Sequence, residues 1–279
     1  MKTATKPVII REVWNHNLLQ EFQLINQALL HYPYASVDTE FPGTILHPHP
    51  QMNRNLPSHI VSNQNYYFLK LNVDYLKLIQ LGLTLSDAEG NLPDLGTKSA
   101  YIWEFNFRDF NIHVDDHNPD SIQLLMRQGI DFWKNQQMGI DGREFALLLS
   151  CSGLVFKRSP MTWVTFHSAY DFGFLIKLLL GGRELPNDLS QFIGLVGFYF
   201  GMTVYDIKYM IKDCNGLYGG LERVAKSLGV HRVAGKSHQA GSDSLLTMQT
   251  FIKLREVYFN QKLEANNKFE LVLYGLEVN

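Results

Sequence analysis

The chain has 279 residues, 46% of them hydrophobic and 19% charged, with a formal net charge of −2. That is enough apolar material for a sizeable core and far too little positive charge for a histone-like or polybasic nucleic-acid binder. The opening MKTATKPVII has only a short apolar run, and the longest apolar run, FALLLSCSGLVF, holds serines and ends at Lys157, so neither a secretory leader nor a membrane span is expected.

In chain order, apolar residues at Leu18, Phe22, Ile25 and Leu29 recur with a helical period and predict an amphipathic helix over Val13–Leu30, opened by Asn15 or Asn17 and closed by Pro33. ASVDTEF is a short β-rich run. Residues 44–72 read as an irregular insertion. LKLIQLGLTLSD and SAYIWEFNF, joined by DAEGN and a Gly/Pro-rich turn, predict with ASVDTEF an antiparallel meander. Beyond Asn118-Pro119 the pattern turns helical, and DGREFALLLSCSG has a capping box in Asp141 and Glu144 with Gly153 as a stop. WVTFH is a strand, AYDFGFLIKLLLGG a helix and TVYD a short strand. GLYGG lacks the lysine and strand of a phosphate-binding loop and is a turn before LERVAKSL. AGSDSLLTMQTFIKLREVYF is a long final helix.

This order is that of an α/β protein, a mixed sheet flanked by helices, in a single domain spanning 1–279. Neither Cys151 nor Cys214 has metal-ligand spacing, so both are expected as buried free thiols of an intracellular protein, cytosolic or nuclear.

SVDTEFPG, residues 36–43, puts two acids into a strand. Asp38 and Glu40 share one face, with Cα atoms roughly 6.6 Å apart. Partly buried carboxylates that close repel and raise one another's pKa unless a cation neutralises them; the plainer reading is a solvated edge strand. Two more acids sit in apolar settings, Asp171 in FHSAYDFGFL and Asp243 in HQAGSDSLLT, each near a helix start. Each alone reads as a cap or a complement to the helix dipole. His238, five residues before Asp243, belongs on the loop preceding that helix. Together, one D-x-E on a strand and two aspartates at later helix starts supply what two divalent ions, Mg2+ or Mn2+, need to clamp a phosphodiester.

In order and spacing SVDTEFPG, FHSAYDFGFL and HQAGSDSLLT resemble the three motifs of DEDD 3′-5′ exonucleases, in the subclass with a histidine five residues before the last aspartate. Segments such as NVDYLKLIQLGLTL and YDIKYMIKDCNGLYGGLERVAKSLGV extend the resemblance to the Caf/Pop deadenylase subunits of CCR-NOT complexes, over nearly the whole chain. His167 in HSAYD suits this branch, and Ala169 stands where it often has glycine. The resemblance implies a ribonuclease-H-like fold and stepwise removal of adenylates from messenger RNA 3′ ends. It makes Asp38, Glu40, Asp171 and Asp243 metal ligands and His238 the general base. It implies as partners poly(A) RNA, a NOT scaffold and a nuclease with leucine-rich repeats.

Arg232 and Lys236 in HRVAGKSHQ are candidates for steering phosphates and Phe41 for packing on the terminal base; against this stand a solvated loop and a core phenylalanine. HVDDHNPDS, with His113, Asp115, Asp116 and His117, and HPHP, with His47 and His49, read as a polar capping loop and an extended proline-held segment rather than metal sites. Asp206 in VYDIKYM reads as a helix N-cap rather than a fifth ligand. The alternatives are an exonuclease on DNA or other RNA ends, and a catalytically silent scaffold.

Overall fold

The computed structural model describes residues 6–49, 56–156, 161–260 and 267–278. The first five residues, the middle of the 44–72 segment and Lys157 lie outside the described residues. Among the described residues no helix is long and apolar enough to cross a membrane.

Six strands form one sheet: β1 (Val8–Val13), β2 (Tyr34–Glu40), β3 (Gln80–Ser86), β4 (Ala100–Asn106), β5 (Thr162–Thr165) and β6 (Val204–Asp206), in the order β1-β4-β3-β2-β5-β6. β3 is antiparallel to β2 and β4, which is the expected meander. β1 joins β4, and β5 joins β2 and β6, in parallel. Helices lie on both faces: α1 (Leu18–Ala28), α2 (Ser58–Tyr75), α3 (Pro119–Gln128), α4 (Phe132–Met138), α5 (Gly142–Cys151), α6 (Ala169–Leu179), α7 (Leu189–Phe200), α8 (Ile207–Met210), α9 (Leu221–Ser227) and α10 (Ala240–Tyr258). This is the ribonuclease-H-like α/β arrangement, a mixed sheet flanked by helices.

The alternation of side chains along β2 divides the core. Val37 packs with Leu81, Leu83 and Phe105 into a large cluster that α1, α2, α5, α6 and α7 close over. Tyr34, on the opposite face, packs with Val164, Tyr205 and Phe251 of α10. Asp38 and Glu40 project from this second face. There α10 crosses the sheet, its Ser244 carbonyl accepting from Ser36 Oγ at 2.7 Å.

Several expectations change. The segment from Val13 is helical only from Leu18, because Val8–Val13 pairs residue for residue with Ala100–Phe105. Asn17 holds the N-cap position, yet its side-chain oxygen accepts from Trp14 N–H at 2.7 Å, a bond that fixes the turn and leaves the helix uncapped by this side chain. Residues 44–72 contain most of α2 rather than only irregular chain; its buried stripe of Ser62, Tyr66, Leu69, Lys70 and Val73 has helical spacing but polar members, which hides the period. Asp141 caps α5 through Arg143 N–H at 2.9 Å, as expected. Cys214 is buried, whereas Cys151, the last residue of α5, is exposed.

Candidate active site

β2 pairs with β5 only over Tyr34–Ser36, whereas its pairing with β3 continues to Glu40. The end of β2 carrying Asp38 and Glu40 is therefore free on the β5 side, in the crevice beyond the carboxyl ends of parallel strands where α/β sheets bind ligands. α6 starts after β5 and brings in Asp171, the third residue of its first turn. Thr39 leaves β2 on the other face and donates its hydroxyl to Asp171 Oδ1 at 2.5 Å.

α10 supplies Asp243 from its first turn, as the sequence predicted. Its start lies directly on the sheet because position 82, the register partner of Asp38, is glycine: a Cβ there would stand 1.8 Å from the Ala240 carbonyl oxygen. Two buried side chains receive the first N–H groups of the helix. Gln80 Oε1 accepts from Ala240 at 2.9 Å and Glu104 Oε2 from Gly241 at 3.1 Å. Sequence reading passed over both; the available signal was a glutamine and a glutamate interrupting the apolar strand runs of β3 and β4.

His238 is on the loop before α10, as expected, exposed and with φ at +57°, a left-handed backbone uncommon outside glycine. Its N–H donates to Asp243 Oδ2 at 2.8 Å, which fixes the loop to the helix it precedes. Metal-capable atoms of Glu40, His238 and Asp243 all lie within 4.8 Å of one another.

The acids crowd one another. Burial first, then the charges of Asp171, Asp243 and Glu40, hold Asp38 well above the usual carboxylate range. Glu40 is raised likewise by burial and by Asp243 and Asp171. Burial pushes Asp171 up to about 7 against the hydrogen bonds from Thr39. Asp243 is raised by burial, and the Arg232 guanidinium opposes this. Each group favours its neutral form, the condition a cation among them relieves. Asp38, Glu40, His238 and Asp243 line an open cleft of about 470 Å³, with Phe166 on one wall and Gly220–Arg223 at its lip.

Other candidates are placed differently. Arg232 Nη2 bonds Asp243 Oδ1 at 2.6 Å and Glu222 Oε2 at 2.8 Å, so its charge is already matched. Lys236 is exposed, its N–H donating to Gln239 Oε1 at 2.8 Å. Phe41 stacks on Tyr170, ring centres 5.1 Å apart, and packs on Phe174. In the polar loop Asp115 accepts from Lys77 at 2.8 Å and Asp116 from the Tyr75 hydroxyl, which is a structural role. His47 Nε2 lies 3.4 Å from Thr44 Oγ1. Asp206 is the N-cap of α8, accepting from Lys208 N–H at 2.9 Å.

The profile of the CAF1 family ribonucleases matches residues 13–142. A "Probable CCR4-associated factor 1 homolog 10" of Arabidopsis thaliana is 50% identical over 97% of this chain and 93% of its own. The "Poly(A) ribonuclease pop2" of Schizosaccharomyces pombe is 43% identical over 96% of this chain and 75% of its own. Among solved structures, S. pombe Pop2p in its "Mg2+ and Mn2+ bound form" superposes with a TM-score of 0.85 at 42% identity, covering 96% of this chain and 99% of that one. CAF1 co-crystallised with the yeast NOT1 MIF4G domain is a further match, with a TM-score of 0.74 at 33% identity over 95% and 96% of the two chains. The chain belongs to the CAF1 family of ribonucleases.

Proposed function

We propose that the chain is a divalent-metal-dependent 3′-5′ exoribonuclease that shortens messenger RNA poly(A) tails, releases 5′-AMP and serves as a catalytic subunit of a CCR-NOT-type complex. The observation that carries this reading is the convergence of Asp38, Glu40 and Asp243 beside His238 at one open cleft, with Asp171 close enough for its charge to act on Asp38 and Glu40. The relative named a poly(A) ribonuclease supports the substrate.

The donor set fits hard divalent cations, being all oxygen, crowded and raised in pKa by burial and then by one another's charge. Asp38, Glu40, Asp171 and Asp243 would hold two ions, Mg2+ or Mn2+, which when bound supply the positive charge that stabilises the attacking and leaving oxygens of a phosphodiester. A relative's structure with Mg2+ and Mn2+ supports the type of ion.

The rest follows from the chain's own groups. His238, exposed at the cleft, takes the proton of the attacking water at an imidazole nitrogen. As the water oxygen bonds to phosphorus the phosphorus–O3′ bond breaks, the new bond leaves with 5′-AMP, and the 3′ oxygen of the shortened chain takes a proton from solvent. Thr39 fixes the orientation of Asp171 through its 2.5 Å bond, and Arg232 does the same for Asp243 at 2.6 Å. Lys236 on the exposed loop draws in phosphates, and Phe41 acts from behind by packing on Tyr170, two residues into α6.

The partners of this reading are poly(A) RNA, a NOT scaffold and a leucine-rich-repeat nuclease, and its places of work are cytoplasm and nucleus. The relative co-crystallised with NOT1 supports the scaffold. A net charge of −2 suits a protein that partners bring to RNA. Co-purification of a NOT1 MIF4G fragment with the tagged chain checks the assembly. Turnover on oligo(A), oligo(U) and oligo(dA) of equal length checks the substrate: oligo(A) is fastest in this reading, whereas equal rates would leave a general 3′ exonuclease.

A further inference from the structure

The lip of the cleft carries a feature that the four acids and His238 do not use. The GLYGG turn presents Tyr218, a residue 59% exposed. Arg223, from the first turn of α9, lies over it, guanidinium carbon 3.7 Å from the ring centre. Arg223 lines the same cleft as Asp38, His238 and Asp243. The acid beside it, Glu222, is engaged by Arg232 at 2.8 Å, and among the described residues Arg223 enters no ion pair. The turn is shaped for this contact: Gly219 has φ +99°, and a Cβ there would stand 2.7 Å from Arg223 Cδ.

A planar cation on an exposed aromatic ring, at the mouth of a phosphodiester-cleaving cleft, has the chemistry that single-stranded nucleic acid uses. Unstacked bases lie on aromatic faces and guanidinium planes, and the positive charge meets the backbone. We propose that Tyr218 and Arg223 form a stacking platform for a base of the single-stranded RNA upstream of the 3′-terminal nucleotide. This rests on the reading that the RNA 3′ end lies among the four acids. The platform makes productive binding depend on substrate length: a chain of several nucleotides reaches from the acids to the lip, and a dinucleotide gains less from it.

The test uses the full chain with Mn2+, comparing octa-adenylate with di-adenylate for wild type, Tyr218→Ala, Tyr218→Trp and Arg223→Ala. Tyr218→Ala raises KM for octa-adenylate about tenfold, the size of one base–aromatic stack. The increase is smaller for di-adenylate, Tyr218→Trp restores the wild-type value, and Arg223→Ala shows the same length dependence. If Tyr218→Ala shortens octa-adenylate with wild-type KM, or if tryptophan does not rescue it, the platform is overturned and the exposed ring belongs to another kind of partner, such as a protein. If wild type neither binds nor shortens octa-adenylate, the placement of RNA in the cleft fails, and the platform with it.

Discussion

Asp206 shows how a buried acid can serve the site without being a ligand. It has no solvent exposure and accepts backbone N–H groups from His167 at 2.8 Å, Ser168 at 3.3 Å, Lys208 at 2.9 Å and Tyr274 at 2.9 Å. Burial pushes its pKa up, and those N–H groups pull it down. His167 and Ser168 lead into α6, so Asp206 sets where Asp171 stands. Asp206→Ala leaves several buried donors unmatched and is expected to lose about 3 kcal/mol or more in urea unfolding; a loss under about 1 kcal/mol would contradict this role. The cap to Lys208 was legible two residues away, but the bonds to positions 167 and 274 join distant parts of the chain and leave no local mark. The four acids and His238 were legible for the converse reason. Strand alternation and first-turn placement are local, and motif order supplied the rest.

Among the elements, α10 on β3 is the contact that brings Asp243 to Asp38. It depends on Gly82, where an added methyl would stand 1.8 Å from the Ala240 carbonyl oxygen and 2.5 Å from Gly241 N. Gly82→Ala must therefore push the start of α10 off the sheet. About 2–3 kcal/mol of stability is expected to go in denaturant titration, as for other overpacked sites, together with most of the metal affinity measured by calorimetry. Wild-type affinity in that variant would show that Asp243 does not need this seating. The central meander, α6 and α10 were readable from alternation, helical period and glycine stops. β1 was not. It is an edge strand with Ile9 and Glu12 exposed, its partner lies about ninety residues along, and a short VII run followed by RE carries no alternation. α2 was obscured because Ser62, Lys70 and Asn72 are buried; Asn72 receives Ile45 N–H at 2.9 Å and Leu46 N–H at 3.0 Å, tying down the chain after the first motif.

For the whole molecule, the crowded acids link folding to protons and, in the proposed reaction, to cations. The folded pKa of Asp171, about 7, lies above its usual 3.8. A group raised in this way contributes stability that is fully present below the unfolded value and lost as pH rises through the folded one. Asp38 and Glu40 shift in the same direction. Between pH 6 and pH 8 the protein without cations therefore loses stability through Asp171. Divalent ions bind the charged form, so the increment in Tm between EDTA and Mn2+ should be larger at pH 8 than at pH 6, by roughly 3 °C if the ions add about 2 kcal/mol more at the higher pH. An increment that did not change with pH would mean that the ions bind elsewhere. His167, lowered by burial, titrates in the opposite sense, but it does so in both members of the comparison.

In the proposed reaction these carboxylates hold the ions that drive removal of nucleotides from an RNA 3′ end. The most direct measurement follows end-labelled RNA with a 3′ oligo(A) tail on a sequencing gel, in Mg2+ or Mn2+, for wild type, Asp38→Ala, and wild type in EDTA. Stepwise shortening that slows at the first residue other than A, with the variant reduced at least about a hundredfold and the EDTA lane inert, is the predicted result. Shortening by Asp38→Ala at the wild-type rate, or no shortening under either metal, would contradict it.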